Sequence, residues 1–192
     1  LVTGVQTCAL PILLLLCAGL PAQVAPARYF AVVAGSVAAS GNLVLTIQQP
    51  TTGKNTFTLE TITASCFGQA FTVAQSTNGV PATATPLTQT TTGTLASNVT
   101  GFASIPPTPQ GIKSMAQIYT ASNVGTGVAT NMSLYYNVGS IAVINLGAST
   151  YNPYPVQLVP GTTQFQPNYT ATMTNSGTGS CAGTLQINWR EQ

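Results

Sequence analysis

Apolar and polar residues alternate one by one near the carboxyl end, where Leu185, Ile187 and Trp189 share one parity and Gln186, Asn188 and Arg190 the other. A pleated strand sends successive side chains to opposite faces, so this run predicts a strand with one face in a core. The same period of two recurs at Tyr169, Ala171 and Met173 against Thr170, Thr172 and Thr174, and at Leu43, Leu45 and Ile47 against Val44, Thr46 and Gln48. Met132, Leu134, Tyr136 and Val138 alternate with Ser133, Tyr135 and Asn137. From Phe57 the apolar set runs through Leu59 and then Ile62, Ala64 and Cys66. Its parity changes on the way, which predicts a β-bulge near Glu60 and Thr61. Further strands are expected over 29–34, 69–75, 112–120, 141–146 and 155–159. No stretch keeps the 3.6-residue apolar spacing of an amphipathic helix.

This pattern amounts to about nine short strands separated by Gly, Pro and Asn turns, and no fixed-period repeat links them. The fold class expected is all-β: a two-sheet antiparallel β-sandwich, of which the jelly roll is one form. The segment 78–109 differs in texture, with TATPLTQTTTGTLASN followed by IPPTPQ. It reads as a long Thr- and Pro-rich surface loop with room for one edge strand, because Pro cannot sit in a central strand. The chain has 192 residues. The roughly 165 that follow position 27 suffice for a single core, burying roughly 70% of their unfolded surface.

The first 27 residues have a separate character. Residues 2–12, VTGVQTCALPI, resemble the translation of a common sequencing adapter, which makes Cys8 an expected assembly artefact. The run ILLLLCAGL at 12–20, followed by PAQVAPA, is similar to the apolar core and small-residue exit of a secretory signal peptide whose basic start is missing. It is far shorter than the about 20 residues a membrane-spanning helix needs. Ala25, Pro26 and Ala27 form an A-x-A site, so the mature chain is expected to begin near Arg28, with cleavage at Ala22 or Ala25 as alternatives. Lipidation at Cys17 and a buried strand are the other readings of this run. The expected organisation is therefore 1–27 as a removable segment and 28–192 as one sandwich domain, secreted or displayed at the cell surface. Two cysteines then remain, Cys66 and Cys181. In an exported chain they are expected to form one disulfide, the alternative being two buried free thiols.

Charge narrows the chemistry sharply. Only 3% of residues are charged: Arg28, Lys54, Lys113 and Arg190 against Glu60 and Glu191, with no His. A Ser-His-Asp or Cys-His centre has no imidazole to carry its proton, and a glycosidase-type acid pair rests on Glu60 and Glu191 alone. Glu191 moreover stands beside a terminus expected to fray. No catalytic residue, cofactor or metal is assigned, since a metal cage draws on His, Cys, Asp and Glu. Four scattered cations form no basic stripe for nucleic acid. So little charge also weakens electrostatic solubility, so self-association or a cell-surface partner is expected.

Neutral polar chemistry is left. Tyr135, Tyr136, Tyr151, Tyr154, Tyr169 and Trp189 stand among Asn and Gln, a composition on which sugar rings can stack. Parity assigns Trp189, Tyr169 and Tyr136 to the core. Tyr151 and Tyr154, in YNPYP, are the candidate exposed contacts for neutral glycans. Sequons occur at Asn98, Asn131 and Asn168, and in a eukaryotic host they would mark surface glycans. Rows of Thr-x-Thr resemble ice-binding surfaces, but Thr is also an ordinary strand residue and the Gly-Asp and Pro-Gly signature of that family is missing. Over residues 112–192, GIKSMAQIYTASNVGTGVATNMSLYYN, then PVQLVPGTTQF and the closing LQINWREQ resemble small β-sandwich proteins of phage virions and bacterial surfaces. The resemblance implies a structural or adhesive role with no catalytic residues. The expected function is a secreted, non-catalytic structural or interaction module, with carbohydrate binding through exposed tyrosines as the alternative.

Overall fold

The computed structural model describes residues 26–50, 52–78, 86–90, 95, 100–104, 113–120, 130–147, 155–160 and 167–192. Among them are eleven strands and no helix. They are Ala27–Val37 (β1), Asn42–Gln48 (β2), Phe57–Phe67 (β3), Phe71–Asn78 (β4), Gly101–Ser104 (β5), Gln117–Tyr119 (β6), Thr130–Tyr136 (β7), Ile141–Asn145 (β8), Gln157–Leu158 (β9), Asn168–Asn175 (β10) and Cys181–Glu191 (β11). The alternating runs of the sequence fall on these strands, except that Asn137 and Val138 lie beyond the end of β7. The segment 78–109 contributes β5, an edge strand on β1, as the Thr- and Pro-rich composition allowed. Leu87 N–H donates to Ile118 O at 2.7 Å and Thr90 N–H to Phe102 O at 3.0 Å, so part of that segment is tied to both sheets.

One sheet runs β5-β1-β11-β3-β8, with β9 on the same side of β3 as β8; the other runs β6-β2-β10-β4-β7. Without the short β5, β6 and β9, eight strands pair from the outside inward: β1 with β11, β2 with β10, β3 with β8 and β4 with β7, all antiparallel. This nesting is the wrapping of a jelly roll, the form in which a long antiparallel ribbon buries one face of each sheet against the other.

The parity change in β3 is a bulge. Asn188 faces Thr61 and Trp189 faces Leu59, so Glu60 is the unmatched residue. Its carbonyl accepts from Leu146 N–H at 2.8 Å and Gly147 N–H at 3.3 Å. There the partner of β3 changes from β8 to β9. The extra residue lets Leu59 and Ile62 both point inward while Glu60 points out.

The core between the sheets holds Trp189, Tyr29, Phe57, Leu59, Ile62, Leu185 and Ile187 from one side and Leu45, Ile47, Phe71, Val73 and Met173 from the other. Each large apolar side chain buried this way contributes about 1.5–3 kcal/mol. Tyr29 stacks on Trp189 with ring centroids 5.8 Å apart. Cys66 and Cys181 are both buried and form a disulfide with Cα atoms 5.4 Å apart, joining the end of β3 to the start of β11. Opposite Cys66 stands Gly183. A Cβ there would lie 2.7 Å from both Met173 Cε and Val37 Cγ2, so a larger residue at this point would force its neighbours to shift.

The inward reading of the β7 run holds for Tyr136, which stacks on Phe71 with centroids 5.2 Å apart. Leu134 and Val138 are exposed. β7 ends its sheet, and Val138 lies in the turn beyond it, so neither is covered by a neighbouring strand. Glu191 also departs from expectation: it lies within β11, 5% exposed, rather than in a frayed tail.

Two stability predictions follow from these contacts. The disulfide spans 115 residues, and closing so long a loop stabilises by about 4–5 kcal/mol in the chain-entropy account. Urea unfolding of the Cys66→Ala/Cys181→Ala variant should show most of that loss, whereas a loss below about 1 kcal/mol would refute the account. The second concerns alkali. Burial, with Glu191 adding a smaller contribution, pushes the Tyr29 phenol up to about 12. Burial raises Tyr169, Tyr119 and Tyr136 in the same direction. The folded chain therefore holds phenolic protons more tightly than the unfolded one, so this stabilisation is complete below the ordinary tyrosine value, about 10, and is lost as pH rises toward the folded values. The urea midpoint should fall between pH 10 and 12, less steeply in Tyr29→Phe; an unchanged slope in that variant would exclude Tyr29 as a source.

Candidate functional site

Inward parity on β11 takes Leu185, Ile187, Trp189 and Glu191, which leaves Thr184, Gln186, Asn188 and Arg190 on the outer face of the sheet. Register then lays out rows across that face. Arg28, Arg190, Thr58 and Gln157 form one, and Phe30, Asn188, Thr61 and Asn145 the next. Val32, Gln186, Thr63 and Val143 follow, then Ala34, Thr184, Ser65 and Ile141. The bulge inserts Glu60 between the first two rows.

Half of the chain's six charged residues meet there. Arg28 donates to Glu60 Oε1 through Nη2 at 2.9 Å and through Nε at 3.3 Å. Arg190 Nε stands 4.0 Å from the same oxygen, too far for a hydrogen bond, and is buried without a hydrogen-bond partner among the described residues. Two guanidinium groups against one carboxylate leave the cluster with one net positive charge. As an exposed ion pair, Arg28–Glu60 contributes only about 0–1 kcal/mol to stability. Between these residues and the end of β8 lies an open depression of about 500 Å³, bordered by Arg28, Glu60, Arg190, Thr58, Asn145 and Gly147. Its surroundings are neutral and fixed by hydrogen bonds. Gln186 Nε2 donates to Asn188 Oδ1 and Asn188 Nδ2 to Thr61 Oγ1, both at 2.8 Å, while Gly147 N–H donates to Asn145 Oδ1 at 2.9 Å.

Further along the same face the character changes. Ile141 and Val143, each 67% exposed, are joined by Phe67 at 83% and by Val138 in the β7–β8 turn. All lie toward the end of the sandwich away from the charged cluster.

The other sequence candidates are dispersed. Glu60 lies on the outer face and Glu191 in the core, so the two carboxylates do not face one another across a substrate space. Glu191 accepts from Ser114 Oγ through Oε1, from Trp189 Nε1 at 3.1 Å and, through Oε2, from Met115 N–H at 3.1 Å. It thus anchors the segment entering β6 of one sheet to β11 of the other. Trp189 and Tyr169 are interior and Tyr136 is half-buried against Phe71, so these three form no common exposed platform. Tyr135 is exposed; Tyr151 and Tyr154 lie outside the described residues. The chain on either side of them, Asn145–Gly147 and 155–157, passes beside the depression. Asn168 is 1% exposed within β10, which leaves no room for a glycan at that sequon. Asn98 and the side chain of Asn131 lie outside the described residues. Among the described residues no three of His, Cys, Asp and Glu come together as a metal site, and no helix is long and apolar enough to cross a membrane.

Sequence reasoning found the bulge and the outward parity of Arg190 but not their meeting with Arg28. That meeting depends on the β1–β11 register, which no local signal encodes. No family model matches the chain, and no match was found among curated proteins or solved structures.

Because Glu191 satisfies three donors, Glu191→Ala should destabilise the fold by about 3 kcal/mol, most of it from buried donors left unpaired. Chemical denaturation measures this directly, and a neutral outcome would place the carboxylate in solvent.

Proposed function

We propose that the chain is an extracellular, non-catalytic structural or interaction module that associates with copies of itself through the β8 side of the sandwich. One observation carries this reading: the strand that ends the sheet among the described residues has the sequence IAVIN, presents Ile141 and Val143 outward on the same face as Phe67, and contains neither a charge nor a proline. Soluble monomers ordinarily guard such an edge with Lys, Pro or a bulge, because its free backbone groups and apolar side chains template pairing with another chain. With 3% charged residues, long-range repulsion is too weak to substitute for that guard. The Cys66–Cys181 disulfide is compatible with an oxidising, extracellular setting.

Light scattering tests the proposal. The chain is expected to scatter as an assembly at tens of micromolar, and Val143→Lys, on the exposed face, as a monomer with unchanged thermal unfolding. A wild-type chain that stays monomeric at that concentration would contradict the reading. Saccharide binding is the second reading, and the polar depression at the other end of the same face is what favours it.

A further inference from the structure

We propose that the depression between Arg28, Glu60 and Arg190 binds an acidic saccharide, with the carboxylate of a uronic acid held by the two guanidinium groups. The inference rests on saccharide binding, the second reading above, and is independent of association through β8.

Three observations converge on it. The first is unspent charge. Glu60 Oε1 accepts from Nη2 and Nε of Arg28, yet Arg190 Nε, 4.0 Å from that oxygen, is buried without a hydrogen-bond partner among the described residues. A guanidinium presents a planar fork of donors that matches a carboxylate, and this one has no such acceptor among the described residues. The second is the sign and size of the imbalance: two cations against one anion are neutralised by a single negative charge, which suits a carboxylate better than a phosphate dianion. The third is the lining. Thr61, Asn145 and Asn188 offer a hydroxyl and amides, the groups that meet sugar hydroxyls. The depression, about 500 Å³, lies within the range of small-molecule sites, about 300–1,000 Å³. A peptide carboxyl terminus is the less fitting occupant, since peptide ends are captured by nests of backbone N–H groups, whereas these donors are side chains.

The geometry also gives Glu60 a definite part. It competes with the ligand for Arg28, so it restrains affinity rather than supplying it. A ligand carboxylate arriving beside Arg190 meets Glu60 as a like charge.

Calorimetric titration of the oxidised chain with trigalacturonic acid, set against the same trisaccharide as its methyl ester, tests the proposal. The acid is expected to bind with at least tenfold preference over the ester, and the preference should shrink as salt rises. Arg190→Gln should weaken binding of the acid at least tenfold while thermal unfolding stays unchanged, because among the described residues the wild-type side chain makes no hydrogen bond that the fold would lose. Glu60→Gln should tighten it severalfold. No binding of the acid, equal binding of the ester, indifference to Arg190→Gln, or loss of binding in Glu60→Gln would each overturn the assignment. Equal binding of trialanine, through its free carboxylate, would transfer the site to peptide ends and overturn the saccharide. Val143→Lys should bind the acid like the wild type, so failure of the association reading and failure of this one are told apart.

Discussion

β11 lies between β1 and β3, and its register against both determines what the molecule has inside and what it shows. Because side chains alternate along a strand, sliding β11 by one residue would bring Arg190 and Asn188 into the core and turn Trp189 out. Two features fix the register independently. The apolar row Leu185, Ile187 and Trp189 requires the interior, and the disulfide from Cys181 to Cys66 ties the strand to β3 at one end. At the other end Glu191 holds the segment 113–116 and thereby the entry to the opposite sheet. The bulge at Glu60 then absorbs the one mismatch between the apolar patterns of β3 and β11, and in doing so delivers a carboxylate to the outer face beside two arginines.

Scarcity of charge gives the rest of the fold its chemistry. Several buried polar groups are paired with neutral partners: the hydroxyls of Thr46 and Thr170 share a hydrogen bond of 2.8 Å, and the Tyr169 phenol donates to Gln75 Oε1. Asn175 Nδ2 lies within hydrogen-bond distance of the carbonyls of Val37, Ala38 and Gly179, closing the end of the sandwich near the disulfide. Neutral pairs of this kind contribute only about 1 kcal/mol each, but leaving one member unpaired costs more, so they enforce one arrangement. Against this background the Arg28–Glu60–Arg190 cluster is conspicuous. The fold has no need of it for stability, as an exposed ion pair contributes little.

How much of this the sequence carried depends on the range of the determinant. Alternation at 43–47, 169–173 and 185–189 is local and placed three core strands with their correct inward faces; the parity change after Leu59 placed the bulge near Glu60 and Thr61, and the register puts it at Glu60. The disulfide followed from compartment and count once the first 27 residues were set apart. What escaped was set by position in the sheet. Leu134 and Val138 have core-like spacing, but Leu134 is on the strand that ends its sheet among the described residues and Val138 is in the turn after it, and both are exposed. Glu191 is next to the last residue, which suggested fraying, yet it terminates a strand paired on both sides. The charged cluster needs three strands in register at once, and Ile141 and Val143 are exposed because their parity on β8 places them on the outer face.

The register of β11 across the bulge is the point to test, by nuclear Overhauser contacts between backbone protons of β3 and β11. The account predicts that Asn188 pairs with Thr61 and Trp189 with Leu59, with Glu60 opposite no residue. Pairing of Trp189 with Glu60 would contradict it, because the bulge would vanish, the two arginines would lose their shared carboxylate, and the division between core and outer face would have to be drawn again.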